Sequence, residues 1–304
     1  MAVAVLGAGS LGTLVAARLA ANGTPVTLVG RSGAHLATIR EEGILLVEAD
    51  RSNRIDVAAT TDHESVGDAD WLLVAVKSYD TATAMADVAP FLEGVPVLTL
   101  QNGLGNAETI AEFVDPERVL VGTTAHGASI PEPGTVRHAG VGRTVIGRYF
   151  APSDETVESI AETLTTSGIE TQVTDHPRDA VWEKVLVNVA INAATALARV
   201  PNGHLVRYEP GERLLRRSIE EGVAVARANG RTIPDDIEER AMTVARQTAT
   251  NRSSMRQDVE SGSKTEIEAL NGEIVSRGRD HDVDTPVNRT LTDLVRLAET
   301  ERDA

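Results

Sequence analysis

Short apolar runs separated by polar turns dominate the first half of the chain. Val3–Leu6 (VAVL), Pro25–Val29 (PVTLV), Trp71–Val76 (WLLVAV), Val95–Leu100 (VPVLTL) and Val119–Thr123 (VLVGT) are the clearest. Runs this short and this apolar read as strands buried on both faces of a parallel sheet. Between them, 32–42, 79–91 and 105–113 look helical, and Leu11–Ala21 has helical spacing. Strands alternating with helices predict a doubly wound sheet with helices on both sides. Residues 134–147 read as β-hairpin material, 153–166 as one more helix and Glu170–Thr174 as a strand. After Pro177 the period changes. Segments 178–200, 211–229, 235–249, 264–279 and 286–300 are all helical in spacing, with no convincing strand. The expected fold class is α/β, with an all-helical C-terminal domain after Asp175-His176-Pro177. The division falls into 1–175 and 176–304. No solenoid repeat or low-complexity segment interrupts it.

The first strand runs into Gly7-Ala8-Gly9-Ser10-Leu11-Gly12. A G-x-G-x-x-G is weak by itself, but here it follows a predicted strand and opens a predicted helix, the context a Rossmann-type domain requires. Gly7 permits the tight turn, Gly9 lets a pyrophosphate approach the backbone, and Gly12 lets helix and sheet pack closely. The second strand ends at Val29-Gly30-Arg31-Ser32, where an NAD-specific fold usually has a carboxylate for the ribose 2′-hydroxyl. Arg31 suits a 2′-phosphate instead, which favours NADP. The competing reading is one surface arginine among 26. Lys77 follows the third strand and Gln101-Asn102-Gly103 follows the fourth, at the sheet ends where open α/β folds bind ligands. Turn chemistry alone would also account for Asn102-Gly103.

In the second half, Lys184, Asn188 and Asn192 step by four through Val181–Thr195, where nearly every residue after Lys184 is apolar except the two asparagines and Thr195, so they share one helix face. Polar residues in a buried helix need partners, and the simplest is a polar ligand in a cleft between the domains. A solvated face would carry charges rather than two asparagines among valines. Residues 251–273 read as a polar loop leading into a helix, whose Ser and Asn could simply cap it.

Composition narrows the function. The chain has 304 residues, 45 acidic and 29 basic side chains, and a net charge of −16. Such a surface repels phosphate backbones, so nucleic acid is not an expected partner. With no cysteine there are no disulfides, thiolate nucleophiles or cysteine metal sites. The seven histidines lack ligand spacing, so no metal is expected, and neither a G-x-S-x-G nor a Walker A motif occurs. No apolar stretch approaches 18 residues, so no membrane-spanning helix is expected, and the N-terminus lacks a basic n-region. A cytoplasmic protein with no membrane partner is therefore expected. Only three of the 29 basic residues are lysine, Lys77, Lys184 and Lys264, and aromatics make up 3%. Few lysines with many acids suit molar salt, where the Debye length falls to about 3 Å. Codon bias is the alternative.

In order along nearly the whole chain, the motifs at 7–12, Arg31, Val76-Lys77, Gln101–Gly105, Gly122–Thr124, Trp182–Asn188, Asn192, Pro201–Gly203, Asn251–Met255 and Lys264–Ile267 resemble the ketopantoate reductase (2-dehydropantoate 2-reductase) family. The resemblance implies NADPH-dependent reduction of ketopantoate to (R)-pantoate, a step toward pantothenate and coenzyme A. It implies that Lys184 is the catalytic acid and that Glu266 orients the lysine and the substrate hydroxyls. It places Asn188, Asn192 and Ser254 at the substrate, with Asn251 close by. Asn102 and Lys77 match positions lining the nicotinamide and cofactor cleft, and Asn102 also falls among the substrate positions. Glu266 is included with the glycine loop and Arg31 among the cofactor-side residues. A small-molecule substrate is the expected partner, with a homodimer as the assembly in view. Two other functions stay open: a reductase of another 2-oxo acid in the same superfamily, and a non-enzymatic NADP-binding sensor.

Overall fold

The computed structural model describes residues 1–49 and 51–300. The chain folds into two compact units. One comprises Met1–Gln101 with Asn106–Pro177, the other Asn102–Gly105 with the chain from Arg178 onward.

The strands of the first unit are β1 (Val3–Leu6), β2 (Val26–Val29), β3 (Ile44–Val47), β4 (Ser52–Ile55), β5 (Ala58–Thr60), β6 (Trp71–Val74), β7 (Val97–Thr99), β8 (Val119–Thr124), β9 (Gly127–Ser129), β10 (Thr135–Gly140), β11 (Thr144–Arg148) and β12 (Thr171–Val173). Among the described residues they form two sheets, ordered β12-β11-β8-β7-β6-β1-β2-β5 and β4-β3-β10-β9. The centre of the large sheet is parallel, with Val3 in register with both Val26 and Trp71. All four residues of β1 and all four of β6 are buried, which is why they are apolar without alternation. The Ser10–Ala21 helix packs against both sheets. Its Leu14, Val15 and Leu19 join Val5 and Leu28 of the large sheet and Leu46 and Val136 of the small one in a single core.

Two expectations need correction, and one feature was not expected at all. Residues 134–147 are not a hairpin: β10 pairs with β3 and β9 in the small sheet, whereas β11 pairs antiparallel to β8 in the large one. The large sheet is therefore parallel at its centre and mixed at one end. The small sheet as a whole went unanticipated. Finally, the 22-residue Pro177–Ala198 helix is long and apolar enough by length and composition to cross a membrane. About two-thirds of its apolar window (67%) is buried within the protein, as befits a core helix.

The second unit is built from that helix with Glu209–Ala228, Ile237–Gln247, Ser254–Glu260, Glu273–Asp280 and Pro286–Glu299, plus a short turn of helix at His204–Arg207. Proline at position 177 presets the backbone for a helical start. The helix gives way at Arg199, whose φ of +54° is left-handed, just before Pro201. Val185, Leu186 and Val189 pack into this unit's core, which also buries Leu215, Ile219 and Ile274. A π-helical turn, Glu268–Gly272, interrupts the region read from sequence as one helix over 264–279.

Candidate active site

The glycine loop occupies the turn between β1 and the Ser10–Ala21 helix. Gly7 has φ +117°, and a Cβ there would lie 2.7 Å from the Ala75 carbonyl carbon and the Val76 nitrogen. A Cβ on Gly12 would run into the Gly7 carbonyl oxygen. Gly9 caps the helix without any side-chain hydrogen bond and is exposed, while Ala8, Ser10 and Leu11 are half-buried. The loop thus presents bare backbone at a helix N-terminus, where an anion is favoured.

Arg31 lies just beyond β2. Its guanidinium is 89% exposed and 3.3 Å from the Asp80 carboxylate. Asp80 stands in the turn that begins at Lys77, where its N–H donates to the Lys77 carbonyl at 2.8 Å. Lys77 itself is half-buried at the end of the segment that follows β6. Gln101 secures the end of the segment after β7, donating from Nε2 to the Val76 carbonyl and to Thr81 Oγ1, each at 2.8 Å.

The helical unit carries the other candidates. Lys184, Asn188 and Asn192 lie along one face of the Pro177–Ala198 helix, and Asn192 is only 6% exposed. No hydrogen bond from either asparagine amide is found among the described residues, which leaves these polar heads for a ligand or water. Although part of Lys184 stays accessible, burial dominates its environment. It pulls the ammonium from 10.5 down to about 8, with the Glu266 carboxylate opposing the shift. Glu183, next in sequence, faces elsewhere and pairs with Arg240 at 2.9 Å.

Glu266 is 7% exposed, and Asn102 Nδ2 donates to its Oε2 at 3.4 Å. The turn holding Asn102 docks tightly. The Leu104 N–H donates to the Ala269 carbonyl at 2.9 Å. Gly103, at φ +94°, has no room for a Cβ, which would lie 2.5 Å from the Ala269 Cβ. The Asn-Gly pair, ambiguous in sequence, forms here a turn that requires glycine at 103 and from which Asn102 reaches Glu266. Lys184, Glu266 and Asn102 are thereby brought together electrostatically or by hydrogen bonding.

Asn251 and Ser254 are exposed, and neither side chain has a hydrogen bond among the described residues. Ser253, for which the sequence suggested no more than a capping role, is 6% exposed and is the N-cap of the Ser254–Glu260 helix. Its signal was present: a serine immediately before a helix start. Asp80 as partner of Arg31 was missed, since nothing local marks it. No group of three or more His, Asp or Glu side chains that could hold a metal occurs among the described residues.

The fold and these side chains define a class: two-unit proteins in which a Rossmann-type sheet with a glycine loop precedes a helical unit bearing a buried lysine and carboxylate. Residues 3–150 match the family model described as Ketopantoate reductase PanE/ApbA, and 177–299 match Ketopantoate reductase PanE/ApbA C terminal. The chain belongs to the ketopantoate reductase family. It is 54% identical to a 2-dehydropantoate 2-reductase of Halobacterium salinarum over 300 residues, 98% of this chain and 99% of that one. It is 38% identical to one of Archaeoglobus fulgidus, with 98% and 97% covered. A solved PanE/ApbA family ketopantoate reductase of Ralstonia eutropha superposes at a TM-score of 0.92 with 35% identity, covering all of both chains. D-mandelate dehydrogenase, solved with NADH and anilino(oxo)acetate, superposes at 0.95 over all of both chains but is 22% identical, a likeness of fold alone.

Proposed function

We propose that the protein reduces ketopantoate to (R)-pantoate with NADPH, residues 1–175 serving the coenzyme and 176–304 the ketone. The observation that carries this reading is the Lys184–Asn188–Asn192 face, with Glu266 acting on its lysine and no protein partner for its amides among the described residues. Gly7–Gly12 suits the pyrophosphate, because the loop excludes side chains where the phosphates would approach. Arg31 and Lys77 bring positive charge to a 2′-phosphate and the neighbouring coenzyme. The coenzyme, when bound, supplies the hydride.

The chain's own residues handle charge and protons. As the ketone carbon becomes tetrahedral its oxygen gains negative charge, which the Lys184 ammonium stabilises and then neutralises with a proton. A group near 8 is still mostly charged at pH 7, yet gives up its proton far more readily than an ordinary lysine. Glu266 keeps the ammonium charged and oriented while Asn102 holds the carboxylate. Asn188, Asn192, Asn251 and Ser254 supply donors and acceptors for the substrate's carboxylate and hydroxyls. The family and its relatives' names favour this reading over a binding-only sensor, which has no use for a depressed lysine.

The test is steady-state turnover of ketopantoate and a panel of other 2-oxo acids with NADPH and NADH. Ketopantoate with NADPH should have the highest kcat/KM, and reductive turnover should decline as pH rises through about 8, where Lys184 loses its proton. Another 2-oxo acid winning by tenfold would replace the substrate assignment, and a rate indifferent to pH from 7 to 9 would remove Lys184 as the acid.

A further inference from the structure

Lys184, Asn188 and Asn192 lie on one helix, whereas Asn251 and Ser254 lie on and after a loop, so something must fix one set against the other. Thr195 Oγ1 and Ser253 Oγ are 2.8 Å apart, and the two residues are 0% and 6% exposed. Thr195 is three residues beyond Asn192, on the same side of the helix.

Either hydroxyl could donate in this bond by distance alone, and a hydrogen count favours one direction. The Thr195 hydroxyl has one proton, committed to the Ile191 carbonyl at 2.8 Å with the Asn192 carbonyl nearby at 3.1 Å. Ser253 therefore donates to Thr195. Ser253 also accepts from the Arg256 N–H at 3.2 Å, capping the helix that begins at Ser254. Each hydroxyl thus gives and receives, and neither can be lost without stranding a buried polar atom.

We infer that Thr195 and Ser253 are positioning residues, a hydroxyl clamp that registers Ser254 against the Lys184–Asn192 face. The inference rests on the substrate assignment above. The preceding segment is held independently, since Asn202 N–H donates to the Asn251 carbonyl and Gly203 N–H to the Ala249 carbonyl, each at 3.1 Å. Opening the clamp therefore frees the start of the Ser254–Glu260 helix without detaching the loop before it.

Thr195→Val keeps the shape and removes the acceptor, and Thr195→Ser restores it. In Thr195→Val the KM for ketopantoate should rise about fivefold, the value of one buried hydrogen bond, with kcat and the KM for NADPH near wild type. Thr195→Ser should return to wild type. Hydrogen–deuterium exchange across 254–260 should speed up in Thr195→Val alone. A merely structural role would lower the active fraction, reducing kcat at unchanged KM, and would overturn the inference, as would unaltered exchange. Ser254→Ala and Asn188→Ala run in parallel. If they leave the ketopantoate KM unchanged while exchange still responds to Thr195→Val, the substrate assignment fails and the clamp stands as a structural tie only, which overturns its positioning role. If they raise KM and Thr195→Val does not, the clamp alone fails.

Discussion

Lys184→Met should make the protein more stable and less active, a combination that separates a catalytic charge from a structural one. Methionine keeps an unbranched stem of similar length and drops the ammonium. In the folded chain Lys184 titrates near 8 against 10.5 for an ordinary lysine. At about 1.4 kcal/mol per unit, holding the charged form in the fold costs about 3 kcal/mol. That figure already contains the attraction to Glu266. The sign follows from proton counting: between about 8 and 10.5 the unfolded chain holds a proton the folded chain has released, so stability rises with pH across that window. Below 8 both states are charged and the full penalty is present. Thermal melts of wild type and Lys184→Met at pH 6.5 and 10.5 read this directly. The variant should melt several degrees higher at pH 6.5, and the gap should narrow toward pH 10.5. Turnover should fall by about 10²-fold or more. A variant that melts lower at pH 6.5, or a gap independent of pH, would refute the reasoning.

Arg31→Ala should raise the KM for NADPH by about tenfold while barely moving that for NADH. The loss is held to the low end for charge-assisted contacts because Arg31 is exposed and must leave Asp80 to reach a phosphate; equal effects on both coenzymes would show a plain surface arginine. Gly12→Ala should abolish coenzyme binding or soluble expression, since its Cβ meets the Gly7 carbonyl oxygen; coenzyme titration and circular dichroism check this, and a normal affinity would contradict it. With 45 acidic and 29 basic residues, the melting temperature should climb between 0.1 and 3 M KCl as like charges are screened; a flat curve would leave codon bias as the reason for three lysines.

The large sheet was legible because its central strands are buried on both faces, which forces runs such as Trp71–Val74 to be apolar throughout. The small sheet lacks that constraint. Its edge strand β4 is Ser-Asn-Arg-Ile, with its first three residues exposed, and β9 is three half-buried residues. What makes them strands is pairing across long stretches of sequence, as where Leu46 meets Val136. The same lack of local constraint disguised β10 and β11, adjacent in sequence but committed to different sheets. Ranges for the principal helices held to within a few residues, because each has a continuous apolar stripe. The Glu268–Gly272 π turn did not show, since a one-residue change of period leaves the composition of the segment unaltered.

The candidate site divides the same way. Lys184, Asn188 and Asn192 stood out because polar residues at fours in an apolar helix violate the local pattern, and a violation is visible in a short window. Glu266 violates nothing locally: it sits in a polar stretch, and only the family resemblance singled it out. Its meaning lies in its 7% exposure, and a carboxylate so buried is costly unless charge or donors come to it. Those come from Asn102, 164 residues earlier, and from the field of Lys184. The dependence runs both ways. Burial drives the Lys184 ammonium toward neutrality, and the Glu266 carboxylate is what keeps it near 8 rather than lower. Without that carboxylate less of the lysine would carry the proton it has to donate. A carboxylate without that lysine would lose its compensating charge. The attraction offsets only part of the cost of burying the lysine, and a proton poised for transfer at neutral pH follows from the pair.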